Sequence, residues 1–235
     1  AQMQRLRALP KRKRIVFPEG NDPRILEAAS RLSAEGLIDP ILIGKPGGSA
    51  HSGIEVIDPS AAGRMAHYAR ILHERRRSRG ITEAEAGRML QNPLFLAGLL
   101  VESGDADGFV GGAATTTAET FRAAIATIGA KAAIRTVSGV MIVCTHAREY
   151  GAGGAFVMAD PALIIDPTAP QLADIAISTA ETTRTVLGVE PVVALMSFST
   201  KGSAKHAWVN KVVEALRIVK ARAPELHVDG ELQAD

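Results

Sequence analysis

Two runs in this 235-residue sequence carry side chains suited to holding an anion. Ser197-Phe198-Ser199-Thr200-Lys201-Gly202-Ser203 lies between an apolar strand-like stretch and a helix start. Hydroxyls, an ammonium, a flexible glycine and free backbone N–H groups at a helix N-terminus together suit a phosphate or carboxylate. The run is not a P-loop, because no Gly-x-x-x-x-Gly-Lys-Ser/Thr sequence exists. Gly111-Gly112-Ala113-Ala114-Thr115-Thr116-Thr117 has a similar make-up: small residues permit close approach, a helix follows, and Arg122 falls on its second turn. Taken alone, the first run reads as an ordinary polar turn and the second as tight strand–helix packing with threonine caps. Two such loops delivered to one edge of a parallel sheet strengthen the ligand reading for both.

Arg75-Arg76-Arg77 usually means a solvated helix face. One of the three turned inward would grip a phosphate with a bidentate fork, and spacing does not choose among them. The Gly151–Gly154 cluster fails Gly-x-Gly-x-x-Gly at Phe156, so a nicotinamide site is not expected there. The six histidines (His51, His67, His73, His146, His206, His227) show no metal-ligand spacing, and no metal is expected. Cys144 ends an apolar run and reads as a buried, inert thiol.

The elements that must position these groups alternate along the chain. Arg14–Pro18 reads as a strand, Asp22-Pro23 as the capped start of a helix that Gly36 stops, and Ile38–Gly44 as the next, parallel strand. A Gly/Ser/His-rich loop is expected at 45–53, a short strand at Ile54–Ile57, and a long helix from Ser60 to Arg79. Thr82 with Glu85 forms a capping box, and Asn92-Pro93 opens a helix running to Glu102. Gly108–Gly112 is expected as a buried strand, with Thr116 and Glu119 capping the helix that carries Arg122.

The second half repeats the theme. Strands are expected at Thr136–Thr145 and Gly154–Ala159, and a helix over Pro167–Leu187. A fully buried strand is expected at Pro191–Phe198. The helix Ala207–Ala221 should bury Val209, Val212, Val213, Leu216 and Val219, and a last strand should start at Leu226. This alternation, with continuous apolar strands, argues an α/β fold of three layers, the helices lying on both faces of a sheet. Ligands in such sheets bind at the carboxyl ends of strands, so the loops Glu19–Asp22, Gly111–Thr117, Ser197–Lys205 and Asp229–Gln233 are the places to look.

Composition narrows the class. With 46% hydrophobic residues the chain is too apolar to be disordered, and its length suits one large or two small domains. No run of eighteen apolar residues exists, and the basic N-terminal arm lacks the apolar segment of a signal peptide, so neither membrane nor export is expected. A single cysteine suits a reducing, cytoplasmic setting. The net charge is +2, and only two Tyr, one Trp and six Phe are available to stack on bases, so a small anionic ligand fits better than nucleic acid.

Read together, these motifs resemble the phosphate acetyltransferase family. The matching runs are Arg14-Ile-Val-Phe-Pro-Glu-Gly-Asn-Asp22, Asp39-Pro-Ile-Leu-Ile-Gly44 and Gly104-Asp-Ala-Asp-Gly108. Gly112-Ala-Ala-Thr-Thr-Thr-Ala-Glu-Thr-Phe-Arg122, Asp166-Pro-Thr-Ala169, the Ser197–Ser203 run and Val228-Asp-Gly-Glu-Leu-Gln233 follow in family order. The resemblance implies reversible acetyl transfer between coenzyme A and inorganic phosphate, by direct attack of the thiolate on acetyl phosphate in a ternary complex. It also implies two three-layer α/β/α domains of the isocitrate/isopropylmalate-dehydrogenase type with a cleft between them, spanning 1–134 and 135–235 here, and a homodimer. Substrates and products are acetyl-CoA, phosphate and acetyl phosphate, with no permanently bound cofactor.

Arg76 and Arg122 resemble the family's substrate arginines. Thr116, Thr117, Ser199, Thr200, Lys201, Gly202 and Ser203 are the other implied substrate contacts. Where the family reads Gly-Lys-Gly after Ser203, this sequence has Ala204-Lys205-His206. The family's Ser-Arg pair and general-base aspartate are expected beyond the Glu-Leu-Gln run, so no catalytic base is assigned within the 235 residues, which alone should be nearly inactive. Two neighbouring readings are transfer of another short acyl group, such as butyryl, and a non-catalytic acetyl-CoA-sensing domain like that fused to some malic enzymes.

Overall fold

The computed structural model describes residues 2–45, 53–131 and 134–234. The loop expected at 45–53, with His51, lies almost wholly outside the described residues. The chain divides into two compact units, Ala1–Gly129 and Ala130–Asp235.

The first unit is organised by a parallel four-stranded sheet in the order β3-β2-β1-β4, where β1 is Lys13–Phe17, β2 Ile38–Ile43, β3 Glu55–Ile57 and β4 Gly108–Phe109. Its helices are α1 (Gln2–Arg7), α2 (Pro23–Ala34), α3 (Ala62–Arg76, continued by a 3-10 turn over Arg77–Arg79), α4 (Glu83–Met89), α5 (Pro93–Glu102) and α6 (Thr117–Thr127). Successive side chains of a strand point to opposite faces, and both faces here are apolar. Val16, Ile41, Ile43 and Ile57 pack with Tyr68 and Leu72 of α3, Leu90 and Leu96. Phe17, Ile38 and Leu42 pack with Ala29 of α2 and with Leu6 of α1. Helices therefore cover both sides of the sheet. The chain places β2 and β3 on one side of β1 and then returns to set β4 on the other. The switch point between β1 and β4 is where such sheets present their ligand crevice.

The caps legible in the sequence form. Asp22 accepts the Arg24 amide at 2.9 Å with Pro23 in the first turn, and Asn92 does the same for Leu94 at 3.0 Å. Thr82/Glu85 and Thr116/Glu119 are complete capping boxes.

The second unit holds an antiparallel ribbon, β5 (Met141–Cys144) with β6 (Ala155–Met158), and a parallel pair, β7 (Val192–Met196) with β8 (His227–Leu232). Helices α7 (Ala169–Leu187) and α8 (Ala207–Arg222) share a core built from Ala173, Ala176, Leu195, Val212, Val219 and Leu226.

Several expectations are corrected in this unit. The ribbon is antiparallel because only a glycine-rich turn separates its strands, and a parallel pair needs a crossover of a dozen or more residues. Gly154 makes that turn: its φ is +90° and a Cβ there would lie 2.7 Å from the Thr145 carbonyl oxygen. Strand structure begins at Met141, not Thr136, whose hydroxyl is drawn to Asp174 at 2.7 Å instead. Cys144 is exposed, not a buried thiol, because the two-stranded ribbon leaves its side chain uncovered. The strand expected to be fully buried at Pro191–Phe198 buries one face only: Leu195 is covered, while Val192 is 82% exposed. Val213 lies outside the α8 stripe of Val209, Val212, Leu216 and Val219 and is exposed. In the first unit, the strand expected over Gly108–Gly112 closes after Phe109 and is half-buried. The loops Gly111–Thr117 and Ser197–Lys205 do not share a sheet edge, since β4 and β7 belong to different sheets.

Candidate functional site

At the switch point of the first sheet, the loop leaving β1 meets the loop leaving β4. The Glu19 carboxylate reaches across and accepts four hydrogen bonds. Gly112 N and Ala113 N donate to Oε2 at 3.1 and 2.9 Å, and Ala114 N and the Thr115 hydroxyl donate to Oε1 at 2.7 and 2.9 Å. Burial by itself pushes the Glu19 carboxyl up, but the bonds from Ala114, Ala113, Thr115 and Gly112 outweigh it and hold the group below its ordinary value. Arg24 grips the same loop from its carbonyl side, donating from Nη2 to the Ala113 oxygen at 2.7 Å and to Asp22 at 2.7 Å. That guanidinium, through its hydrogen bonds to Asp22, lowers the Asp22 carboxyl to about 2. Beside these loops, at the ends of β1, β2 and β3, opens a cavity of about 460 Å³ bordered by Glu19, Asn21, Lys45, Asp58 and Ser60.

Thr116 spends its hydroxyl on the first turn of α6: it accepts the Glu119 amide at 3.2 Å and donates to the Glu119 carboxylate at 2.8 Å. Thr117 opens the helix, and Arg122 stands exposed on its second turn. The arginine run at the end of α3 separates into distinct roles. Arg75 bonds the Glu102 carboxylate of α5 and the Ile128 carbonyl that follows α6. Arg77 points to solvent. Arg76 is half-buried, and its Nε is buried without a hydrogen-bond partner among the described residues. A buried donor left unused is uncommon in a folded protein and marks a place where a partner is expected.

In the second unit, the Ser199–Ser203 loop folds onto the end of β8. Lys201 adopts a φ of +48°, a conformation that disfavours non-glycine residues. It is held there by its amide bond to the Glu231 carbonyl at 3.2 Å, by Nζ on the Gly230 oxygen at 3.0 Å, and by an ion pair with Asp229. The Glu231 carboxylate, itself buried, accepts the Gly202 amide at 2.6 Å and the fully buried Ser199 hydroxyl at 3.2 Å. The Gly202 amide is the main reason the Glu231 carboxyl lies below its ordinary value. Ser203 Oγ takes the Thr200 amide at 3.0 Å, and Thr200 Oγ1 takes the Gln233 amide at 2.9 Å.

The four loops singled out in the sequence thus come together as two pairs, Glu19–Asp22 with Gly111–Thr117, and Ser197–Lys205 with Asp229–Gln233. In each pair a carboxylate of one loop, Glu19 or Glu231, occupies the amides that the sequence offered to a ligand. Neither residue is among the site residues expected from the sequence. The signal available was positional: each is an acid at the carboxyl end of a strand adjoining the strand that feeds the anion-type loop. A second cavity, about 640 Å³, lies among β6, α7 and β7 and is largely apolar, with the Thr179 hydroxyl buried there without a partner among the described residues.

The sequence profile described as "Phosphate acetyl/butaryl transferase" matches residues 2–235. A phosphate acetyltransferase of Paracoccus denitrificans is 42% identical over 94% of this chain and 69% of its own length. One of Bacillus subtilis is 40% identical over 94% of this chain and 69% of its own length. A phosphotransacetylase structure from Streptococcus pyogenes superposes with a TM-score of 0.89 at 38% identity, covering all of this chain and 73% of that one.

Proposed function

The chain belongs to the phosphate acetyl/butaryl transferase family, and from that membership we propose how its residues serve phosphate acetyltransfer. The reaction is acetyl-CoA plus phosphate giving coenzyme A plus acetyl phosphate, and coenzyme A enters as a substrate. In the synthetic direction a phosphate oxygen attacks the thioester carbonyl, the carbonyl π electrons move onto its oxygen, and collapse expels the thiolate. In reverse the thiolate attacks the acetyl carbon of acetyl phosphate and phosphate leaves. No covalent enzyme intermediate is needed, so exposed Cys144 takes no part.

Both directions put a phosphate dianion next to developing negative charge, and guanidinium forks suit both. Arg76 and Arg122 fill that role. The observation that supports Arg76 over its neighbours is its buried, unpartnered Nε, since Arg75 is already spent on Glu102 and Ile128. Thr116 supports Arg122 through the cap of α6, and Thr117, the first residue of that helix, is taken as the substrate contact that the resemblance implies. In the second unit, the Lys201–Asp229 pair is about half-exposed on both sides, so it costs little to open toward an anionic group of coenzyme A. Ser199, Thr200, Gly202 and Ser203 hold that loop in shape.

We read the two units as the two isocitrate/isopropylmalate-dehydrogenase-type domains that the resemblance implies. The exposed apolar residues of the ribbon, Met141, Ile142 and Met158, support a homodimer. A lone exposed thiol and a thioester substrate suit a cytoplasmic setting. Among the described residues no helix is long and apolar enough to cross a membrane. The test is release of free thiol from acetyl-CoA on adding phosphate, measured with a longer chain that supplies the general base, since the 235 residues alone are expected to be nearly inactive. Thiol release and acetyl phosphate should appear together, and Arg122→Ala with wild-type turnover would sink the role given to that residue.

A further inference from the structure

We propose that the groove between β6 and β7 of the second unit takes one extended, apolar polypeptide strand, which pairs with both and joins the two small sheets of that unit into one. This strand site stands apart from the acetyl-transfer reading above.

The cavity of about 640 Å³ is lined by every residue of β6 and every residue of β7. Successive side chains of a strand point to opposite faces, so a cavity lying on one face meets every second residue. One that meets them all runs along the strand's edge. Each strand has an edge to offer, since among the described residues β6 pairs only with β5 and β7 only with β8. Natural proteins guard an unpaired edge with charges or proline. Ala155-Phe156-Val157-Met158 and Val192-Val193-Ala194-Leu195-Met196 contain neither. A pair of strands is also marginal by itself, and a third with an apolar face is what gives a sheet independent stability.

The lining sets the chemistry of the occupant. From α7 come Leu172, Ile175 and Ala176, together with the Thr179 hydroxyl, which has no partner among the described residues. On β7, Val192 and Met196 stand exposed. These surfaces call for apolar side chains, while the two strand edges call for N–H and C=O groups repeated along the whole occupant. A helix spends its main-chain groups on itself, and a small apolar ligand has none, so either would leave both edges unpaired. Strand addition satisfies them. A second copy of the chain fits poorly, because its own β6 and β7 edges line the same kind of groove. The relatives offer a source. This chain covers 73% of the Streptococcus pyogenes phosphotransacetylase and 69% of the Paracoccus denitrificans enzyme, so each holds a stretch with no counterpart among these 235 residues. The occupant we infer is a strand of that stretch.

The probes are synthetic peptides tiling the part of the Streptococcus pyogenes chain outside the 73% covered, added to the isotope-labelled 235-residue protein. One tile should bind saturably. It should slow hydrogen exchange about tenfold or more at the β6 amides not bonded to β5 and at the β7 amides not bonded to β8. The same tile with alternate backbone nitrogens methylated keeps its side chains but loses the donors along one edge, and should bind about tenfold more weakly or worse. Failure of every tile to bind would overturn the proposal. So would a tile that binds while these amides exchange as before, or one that methylation leaves unaffected, since apolar side chains alone would then fill the groove. Protection of both edges without peptide, growing with protein concentration, would give the groove to a second copy and overturn the proposal equally. Phosphate-dependent thiol release is a separate measurement, and its absence would refute the acetyl-transfer reading without touching the exchange result.

Discussion

Gly98 of α5 meets Thr127 of α6 so closely that a methyl group on Gly98 would lie 2.0 Å from Thr127 Oγ1 and 2.9 Å from its Cβ. Thr127 has nowhere to go: it is fully buried and its hydroxyl donates to the Ala123 carbonyl at 2.7 Å. The contact sets the distance between the helix that fills the core and the helix that carries Arg122. Gly98→Ala should therefore lower stability by about 1–3 kcal/mol, the usual cost of overpacking. Thr127→Ala in the same chain should return part of the loss, because it removes the hydroxyl but not the Cβ. Denaturant midpoints of the two single variants and the double variant form a cycle, and strict additivity would mean that the two residues do not press on each other.

Tyr68 donates its phenol to Asp105 at 2.8 Å from within the core, tying α3 to the turn before β4. Burial and then the Asp105 bond push the phenol up to about 12. A folded-state value above the unfolded one, about 10, means stability that is fully present below pH about 10 and lost as pH rises toward 12. For Asp105 the sign is opposite. The Tyr68 bond holds its carboxyl low, so that contribution is present above the ordinary carboxylate range and disappears as pH falls through the depressed value. Tyr68→Phe should lose roughly 1–2 kcal/mol at neutral pH, as expected for a hydrogen bond to a charged group, and should show a flatter stability curve at both extremes. Stability measured across pH for the two proteins checks this. Absorbance titration in a Tyr150→Phe background isolates the Tyr68 phenol directly, since the chain has only two tyrosines.

What is legible in the sequence and what is not have a common physical origin. Capping signals are local: Asp22-Pro23, Thr82 with Glu85, Asn92-Pro93 and Thr116 with Glu119 each satisfy amides within a few residues, so each is legible and each forms. Val16 and Phe17 face opposite cores, and two-sided burial is what makes a continuous apolar strand readable. Cys144 and Val192 belong to equally apolar runs, but the sheets they join have two strands each, and exposure is decided by what packs against a strand and not by its composition. The two anion-type loops were visible for the same local reason as the caps. Their occupants were not, because Glu19 stands 93 residues from Gly112, and Glu231 29 from Gly202.

The Glu231 contact makes a prediction for the second unit. Glu231→Gln removes the charge that gathers the Gly202 amide and the Ser199 hydroxyl, while Lys201 still has to be held at positive φ. The loop should open more often, and trypsin cleavage after Lys201 should speed up several-fold, as local opening predicts. Lowering the pH should do the same to wild type. The Glu231 carboxyl is depressed in the folded state, so its contribution is present above the ordinary carboxylate range and is lost as pH falls through the depressed value. Equal cleavage rates in the two proteins at neutral pH would show that Lys201 is held by Asp229 and the backbone alone.

The arginine run separates folding from substrate binding within three consecutive positions. Arg75 ties α3 to Glu102 and to the Ile128 carbonyl, and the Arg75–Glu102 pair is mostly shielded from solvent. Arg75→Ala should cost roughly 1–2 kcal/mol of stability and affect phosphate binding only as far as it loosens α6. Arg76→Ala should do the reverse. Its Nε makes no bond that the fold would miss, so the melting temperature should hold or rise, while the KM for phosphate should climb by an order of magnitude or more, since a guanidinium–phosphate fork is among the stronger charged contacts. Arg76→Lys keeps the charge but loses the fork, and should recover only part of the affinity. Arg77→Ala, at an exposed position, should change neither quantity. Melting curves and phosphate KM across the four variants test the assignment together. A phosphate defect in Arg77→Ala with none in Arg76→Ala would move the role to Arg77, and the unpartnered Nε of Arg76 would then need a different explanation.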